Sequence, residues 1–298
     1  MSRPTLAELV QTAARAMDSA DLHFGHGTDN AIDEACWMAM HILDLPPDFG
    51  PECFGQTVEP ADQARFEQLL SERIKTRKPL AFLIGEAWFA GLTFYVDESV
   101  LVPRSPLAEL IVGGFEPWLA EADLHHAVDV GTGSGCIAIA LAVHRPGLIV
   151  DAVDISAPAL AVARRNVQRH QLDSRVKLHQ SDLLDKLVGR HYDLILANPP
   201  YVPEGSMPGL PPEYRWEPEI GLVAGSDGLA VVRRLIVQAA ERLTPHGVLI
   251  CEVGEAAEAV EHWLSDVALT WLDFENGGDG VFLLDRQNCR QIVARQTD

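Results

Sequence analysis

The chain has 298 residues, 47% hydrophobic and 22% charged, with 43 acidic against 23 basic residues and a formal net charge of −20. Such a composition describes a globular chain long enough for two domains. It also lacks the lysine and arginine face that a phosphate backbone calls for, so direct nucleic-acid binding is not expected, while a basic protein would be drawn in by long-range attraction. The longest apolar runs are strand-sized and the amino terminus has no basic stretch followed by an apolar one, so no membrane span is expected and the cytoplasm is the expected location. Cys36, Cys53, Cys136, Cys251 and Cys289 lack C-x-x-C spacing, and His23, His26, His125 and His126 lack a ligand-spaced partner set. Reduced thiols, solvated or capping histidines and no metal are therefore expected.

From Thr5 to about Lys78 the apolar spacing is helical, as in Asp33 to Leu45 before Pro46-Pro47 and Ala61 to Ile74 before Pro79. A small helical domain over 1–80 is predicted, and tight substrate docking is expected to use it. From Phe82 to Val102 the pattern turns strand-like, with Trp88-Phe89, a break at Gly91, then Phe94-Tyr95-Val96 and Val100-Leu-Val102. This predicts a β-hairpin linker over 81–103, followed by an α/β domain over 104–298.

Within that domain Ala127-Val-Asp-Val130 reads as a strand, Gly131, Gly133 and Gly135 as a turn, and Ser134 to His144 as a helix packed on a sheet. The dinucleotide fingerprint is G-x-G-x-x-G, and here the third glycine comes one position early. An S-adenosylmethionine site is therefore favoured over a dehydrogenase, because no pyrophosphate needs cradling and the glycines let backbone approach the amino-acid end of the ligand. Leu148 to Asp154 is a second strand ending in an acid placed to accept from ribose hydroxyls, with Ser156 better suited than Asp154 to cap the helix that follows. After the strand Arg175–His179, Asp182 is a candidate for the adenine amino group, set against an ordinary surface turn.

The apolar run Tyr192–Ala197 ends in Asn198-Pro199-Pro200-Tyr201. An amide or aromatic amino nitrogen delocalises its lone pair and attacks a methyl sulfonium poorly unless it is held. The Asn198 side-chain oxygen and the Pro199 carbonyl are acceptors for the two N–H groups of an –NH2, and Tyr201 can stack on its flat face. Pro200 presets Pro199 towards an extended conformation. Asn-Pro-Pro also occurs in plain loops, but following a buried strand and a cofactor turn it points to methyl transfer onto a planar nitrogen, with Asn198, Pro199 and Tyr201 as the catalytic set. The segment from Val202 to about Gly228 is longer than a connection needs and is expected to help form the substrate mouth. Val248–Val253, Leu269–Phe274 and Val281–Leu284 complete about seven strands. The expected fold is an open, mostly parallel, Rossmann-like methyltransferase sheet whose last strand is antiparallel.

These motifs resemble the protein-glutamine methyltransferases that modify release factors and a ribosomal protein. The resemblance runs the length of the chain, through Asp129-x-Gly-x-Gly-x-Gly135, Asn198-Pro-Pro-Tyr201, Phe89-x-Gly-Leu-x-Phe94 and Val100-Leu-Val-Pro-Arg104. The release-factor branch usually continues Pro-Arg with Pro-Glu-Thr-Glu. Here Ser105-Pro106-Leu-Ala-Glu109 follows, and Phe24-Gly-His-Gly-Thr-Asp-Asn-Ala31 lies in the helical domain; both look like the branch acting on the third large-subunit ribosomal protein.

The resemblance implies S-adenosyl-L-methionine contacted by Asp129, Gly131, Thr132, Gly133, Ser134, Gly135, Asp154 and Asn198. It implies a substrate glutamine clamped by Asn198, Pro199, Pro200 and Tyr201, and Glu217-Pro218-Glu219-Ile-Gly-Leu222 resembles a further family segment. Three other readings stay open: glutamine methylation of a release factor, adenine amino methylation of nucleic acid, and a non-enzymatic ribosome assembly factor. The second lacks a basic binding face.

Overall fold

The computed structural model describes residues 3–296, with the side chain of residue 296 excluded; the outermost residues of the two expected end domains lie outside that range. The chain forms two compact units, one running up to Ala87 and including Pro211–Trp216, the other comprising Trp88–Leu210 and everything from Glu217 onward.

The first unit is helical. Helix α1 (Leu6–Ser19) starts at a capping box, in which the Thr5 hydroxyl takes the Glu8 N–H and the Glu8 carboxylate takes the Thr5 N–H, satisfying two otherwise orphaned donors. Helix α2 (Ala31–Leu43) is capped by the Asn30 side chain, and α3 (Pro60–Thr76) opens with proline where no N–H is needed. A short helix α4 (Leu80–Ile84) follows where strand was expected to begin, so Phe82 is helical and the hairpin starts later. Buried Arg73 bonds Glu34 Oε1 at 2.7 Å, and Glu213 takes the His23 N–H at 3.0 Å and Arg77 at 2.8 Å. His26, expected to be solvated or to cap a helix, is 2% exposed and packs edge-on against Tyr214 at 4.7 Å between ring centroids.

Strands β1 (Glu86–Phe89) and β2 (Leu92–Tyr95) make the hairpin. Val100–Val102 does not extend it as a third strand. The backbone N–H of Val102 is taken by the Glu217 carboxylate at 3.0 Å and that of Val100 by the Asp97 carbonyl, so these residues form a loop. Buried Asn166 fixes β2 by exchanging two hydrogen bonds with Tyr95 while its amide also donates to the Ser134 carbonyl at 2.8 Å.

The second unit then alternates helix and strand: α5 (Leu107–Gly113), β3 (His126–Val130), α6 (Cys136–His144), β4 (Ile149–Asp154), α7 (Ala157–Arg169), β5 (Val176–Gln180), β6 (Tyr192–Ala197), α8 (Ala230–Arg242), β7 (Leu243–Glu252), α9 (Ala257–Trp263), β8 (Thr270–Trp271), β9 (Val281–Asp285) and α10 (Arg286–Gln296). These strands pair in the order β5-β4-β3-β6-β7-β9-β8, with β5 to β7 mutually parallel and β9 antiparallel to both its neighbours. The strand expected over Leu269–Phe274 shrinks to two residues at the sheet edge, and short edge strands limit pairing with other chains.

Alternate strand residues enter two cores. Ala127, Val150, Leu194 and Ile250 pack on one face with α5 and α6, and Val128, Ile195, Leu249 and Phe282 on the other with α8 and α10. Burial on both faces explains why the central strands read as mostly apolar runs rather than alternating ones.

Candidate active site

Strand register builds the site. Val130 of β3 lies beside Val153 of β4 and Ala197 of β6, and Ala197 lies beside Cys251 of β7. One residue further along each strand, Asp154, Gly131, Asn198 and Glu252 stand in a row across four adjacent carboxyl ends, which is where open parallel sheets bind ligands. A cavity of about 310 Å³ opens there. Its lining includes Asn198, Pro199, Pro200 and Tyr201 as well as Gly131, Thr132, Gly133, Ser134, Asp154 and Asp182.

The glycine turn adopts conformations that other residues resist, with φ of +76°, +54° and +82° at Gly131, Gly133 and Gly135. A Cβ at Gly135 would come within 3.3 Å of the Ala163 Cβ, so this glycine serves helix packing, and α6 begins at Cys136 rather than Ser134 because the turn runs through Gly135. Asp129 lies behind the turn, fully buried. Its Oδ2 accepts from the Thr132 hydroxyl at 2.5 Å and the Ala138 N–H at 3.1 Å, while Oδ1 is buried without a partner. Burial pushes this carboxyl up to about 7, and the nearby Asp154 charge adds to the rise.

Asp154 accepts from the Gly133 N–H at 2.9 Å and the Ser156 N–H at 2.8 Å, so it braces the turn as well as facing the cavity. Burial raises its pKa. Ser156 caps α7 through the Ala159 N–H, leaving Asp154 free of that task. Next to Asp154, Ile155 is 50% exposed at the cavity wall. Acceptors beside an apolar ledge and an open glycine backbone match the three parts of S-adenosylmethionine: ribose, adenine and amino-acid end. Asp182 is tied to Arg234 at 2.7 Å, so its carboxylate already has a partner.

The clamp has its own supports. A Cβ at Gly228 would come within 2.2 Å of the Tyr201 carbonyl, and one at Gly254 within 2.8 Å of the Tyr201 ring, so two glycines set this residue's backbone and side chain. The Asn198 amide stands beside Glu252 and favours its ionised form, and the Glu252 carboxylate takes the Ser105 hydroxyl at 2.5 Å. Burial pushes the Glu252 carboxyl up to about 7, against the hydrogen bonds and the Arg104 charge that favour its ionised form.

Across the cavity, Arg104 forms a two-pronged ion pair with Glu217 at 2.5 and 2.6 Å, and Val202 bridges to Val223. These contacts place Ile220 and Leu222 of the long segment on the cavity wall beside Leu101 and Val102. Gly254, Arg234 and Glu252 were not singled out from the sequence. Glu252 carried a signal all the same: like Asp154, it is an acid that closes a strand.

Comparison with known proteins gives a consistent result. Residues 117–207 match the family model described as "Methyltransferase small domain". Ribosomal protein uL3 glutamine methyltransferase of Xylella fastidiosa (strain 9a5c) is 46% identical over 295 residues, covering 97% of this chain and 92% of that protein. The protein of the same description from Xanthomonas campestris pv. campestris is 46% identical over 291 residues, covering 97% and 93%. Among solved structures, a methyltransferase from Pyrococcus furiosus superposes with a TM-score of 0.47 at 18% identity, over 74% of this chain and 96% of that one. At 46% identity across nearly the whole of both sequences, with the glycine turn and the Asn-Pro-Pro-Tyr clamp on adjacent strand ends, the chain belongs to the ribosomal protein uL3 glutamine methyltransferase family.

Proposed function

We propose that this protein methylates the side-chain amide nitrogen of a glutamine in ribosomal protein uL3, with S-adenosyl-L-methionine as methyl donor. Membership of the family makes it a protein-glutamine N-methyltransferase. The observation that carries the site assignment is the adjacency of Gly131 and Asn198 at the ends of paired strands, which sets the amide clamp beside the cofactor turn.

Asp154 would hold the ribose hydroxyls, Gly131 to Gly135 the amino-acid end, and Ile155 one face of the adenine. When bound, the cofactor supplies an electrophilic methyl whose leaving group is built in. Asn198 Oδ1 and the Pro199 carbonyl then accept the two amide hydrogens, fixing the plane of the substrate nitrogen, and Tyr201 covers its flat face. The nitrogen grows more acidic as its new bond forms, so both acceptors bind the transition state more tightly than the ground state, and no separate general base is needed early. Residues 1–80 are assigned to recognition of the folded protein substrate. The surplus of acids suits a basic ribosomal protein, and the reading sets the reaction in the cytoplasm without direct nucleic-acid binding.

The test offers purified uL3, a release factor and DNA side by side with labelled S-adenosylmethionine and maps the label by mass spectrometry. Label on a uL3 glutamine is expected. Label on the release factor alone would keep the chemistry and overturn the substrate, and label on DNA or on nothing would overturn the reading. Asn198→Ala should lower turnover by roughly 100-fold or more and cofactor affinity far less.

A further inference from the structure

The clamp works only if Asn198 turns its carbonyl oxygen, and not its –NH2, towards the substrate amide. A carboxamide has nearly the same shape in either orientation, so packing alone does not choose between them. The substrate brings donors, and a flipped Asn198 would meet those donors with another donor.

Glu252 stands at the fourth carboxyl end in the row, immediately beside Asn198, and is 6% exposed. It lies behind the cavity wall, whereas Asn198 and Ser105 are on it. Three groups face its carboxyl: the Ser105 hydroxyl at 2.5 Å, the Asn198 side chain, and the Arg104 cation. The Ser105 oxygen already accepts the Leu107 N–H at 3.2 Å, so its own proton is free to go to Glu252. Ionised, Glu252 only accepts hydrogen bonds, and the neighbouring Asn198 amide favours that ionised form, so the group Asn198 turns to it is the –NH2 and Oδ1 takes the opposite side.

We propose that Glu252 is a positioning residue for amide methylation, fixing Asn198 with Oδ1 directed into the cavity, and that Ser105 holds Glu252 in place for that purpose. This rests on the amide clamp as read above. Glu252 touches neither substrate nor cofactor. Its contribution is to make one of two near-isosteric orientations of Asn198 the only well-bonded one, at a site where buried polar groups left unpaired are costly.

The experiment compares the parent with Glu252→Leu, Glu252→Gln, Ser105→Ala, Asn198→Ala and the Glu252→Leu/Asn198→Ala double variant. It measures steady-state kinetics on full-length uL3, affinity for S-adenosylhomocysteine, and hydrogen exchange of the Asn198 side-chain amide by NMR. Glu252→Leu should lower kcat by about 30- to 100-fold while KM for uL3 and product affinity stay within about threefold. Glu252→Gln keeps an acceptor and should recover about tenfold over Glu252→Leu, and Ser105→Ala should fall between Glu252→Gln and the parent.

In the Asn198→Ala background, Glu252→Leu should cost almost nothing more, because the group it positions is gone. The Asn198 amide hydrogens should exchange slowly in the parent and fast in Glu252→Leu. Additive losses in the double variant, or unchanged exchange in Glu252→Leu, would overturn the proposal. A purely structural role for Glu252 would lower product affinity and turnover together. If the parent does not methylate uL3, the function reading fails, and the exchange measurement still decides the orientation of Asn198.

Discussion

Gly254 lies so close to the ring of Tyr201 that a methyl group at 254 would stand 2.8 Å from ring carbons Cε2 and Cζ and 3.0 Å from the hydroxyl oxygen. The glycine also has φ of +44°, a conformation that side chains resist. Gly254→Ala should therefore push the ring towards the cavity and lower kcat by roughly 10- to 100-fold, with product affinity changed by less than about threefold. Turnover equal to the parent's would mean that the ring's position is irrelevant to the reaction.

Tyr201 itself separates stacking from hydroxyl chemistry. If the flat face of the ring is what matters, Tyr201→Phe should keep most of the activity and Tyr201→Ala should lose it. A severe Tyr201→Phe defect in kcat would move the role to the hydroxyl.

Asp154 holds two backbone N–H groups of the cofactor turn and faces the cavity. Losing hydrogen bonds to a charged acceptor costs about 1.5–3 kcal/mol, so Asp154→Ala should weaken S-adenosylhomocysteine binding by roughly 10- to 100-fold or more in calorimetry. Asp182→Ala should weaken it less, because that carboxylate is engaged by Arg234 on a half-exposed surface. If neither Asp182→Ala nor Arg234→Ala changes the affinity, Asp182 leaves the cofactor set.

The buried Asp129 carboxyl has a pH consequence. Its folded pKa, about 7, lies above its ordinary 3.8, so the folded chain takes up a proton between those values. Stability from this group is full below the ordinary value and is lost as pH rises through about 7. Asp129→Asn cannot ionise and should flatten part of the fall in melting temperature between about pH 4 and 7, with Glu252, also pushed up to about 7, supplying another part. Parallel melting profiles for variant and parent would show that Asp129 does not titrate there.

Arg73 is fully buried between Glu34, bonded at 2.7 Å, and Glu213, 3.7 Å away. Burial raises the Glu34 pKa, and the Arg73 charge opposes the rise. Arg73→Met should destabilise the helical unit by about 3–5 kcal/mol in denaturant unfolding, because buried Glu34 loses its cation and Glu213 keeps only Arg77. Glu34→Gln added to Arg73→Met should recover part of the loss. A change under about 1 kcal/mol in the single variant would show that the pair is not holding the unit together.

Local chemistry made the central strands, the glycine turn and the clamp legible in the sequence. Mostly apolar runs mark strands buried on both faces, three closely spaced glycines mark backbone that other residues resist, and Asn-Pro-Pro-Tyr carries its acceptors in four consecutive residues. Val100–Val102 was misread as a strand because its apolar spacing fits one. Its backbone partner is the carboxylate of Glu217, 115 residues away, and no local pattern announces such a bond. The long segment after Tyr201 was recognisable only by its length, while its division, with Pro211–Trp216 in the helical unit and Glu217–Leu222 beside the cavity, is visible only in the folded chain.

The sequence by itself determined which residues could bind an amide and a cofactor, because donor and acceptor chemistry resides in the side chains. The tertiary structure decided that Asp154, Gly131, Asn198 and Glu252 stand side by side. Parallel pairing in one register aligns strand ends as far apart in the sequence as Gly131 and Glu252, and so a lone acid closing β7 comes to face the amide of Asn198.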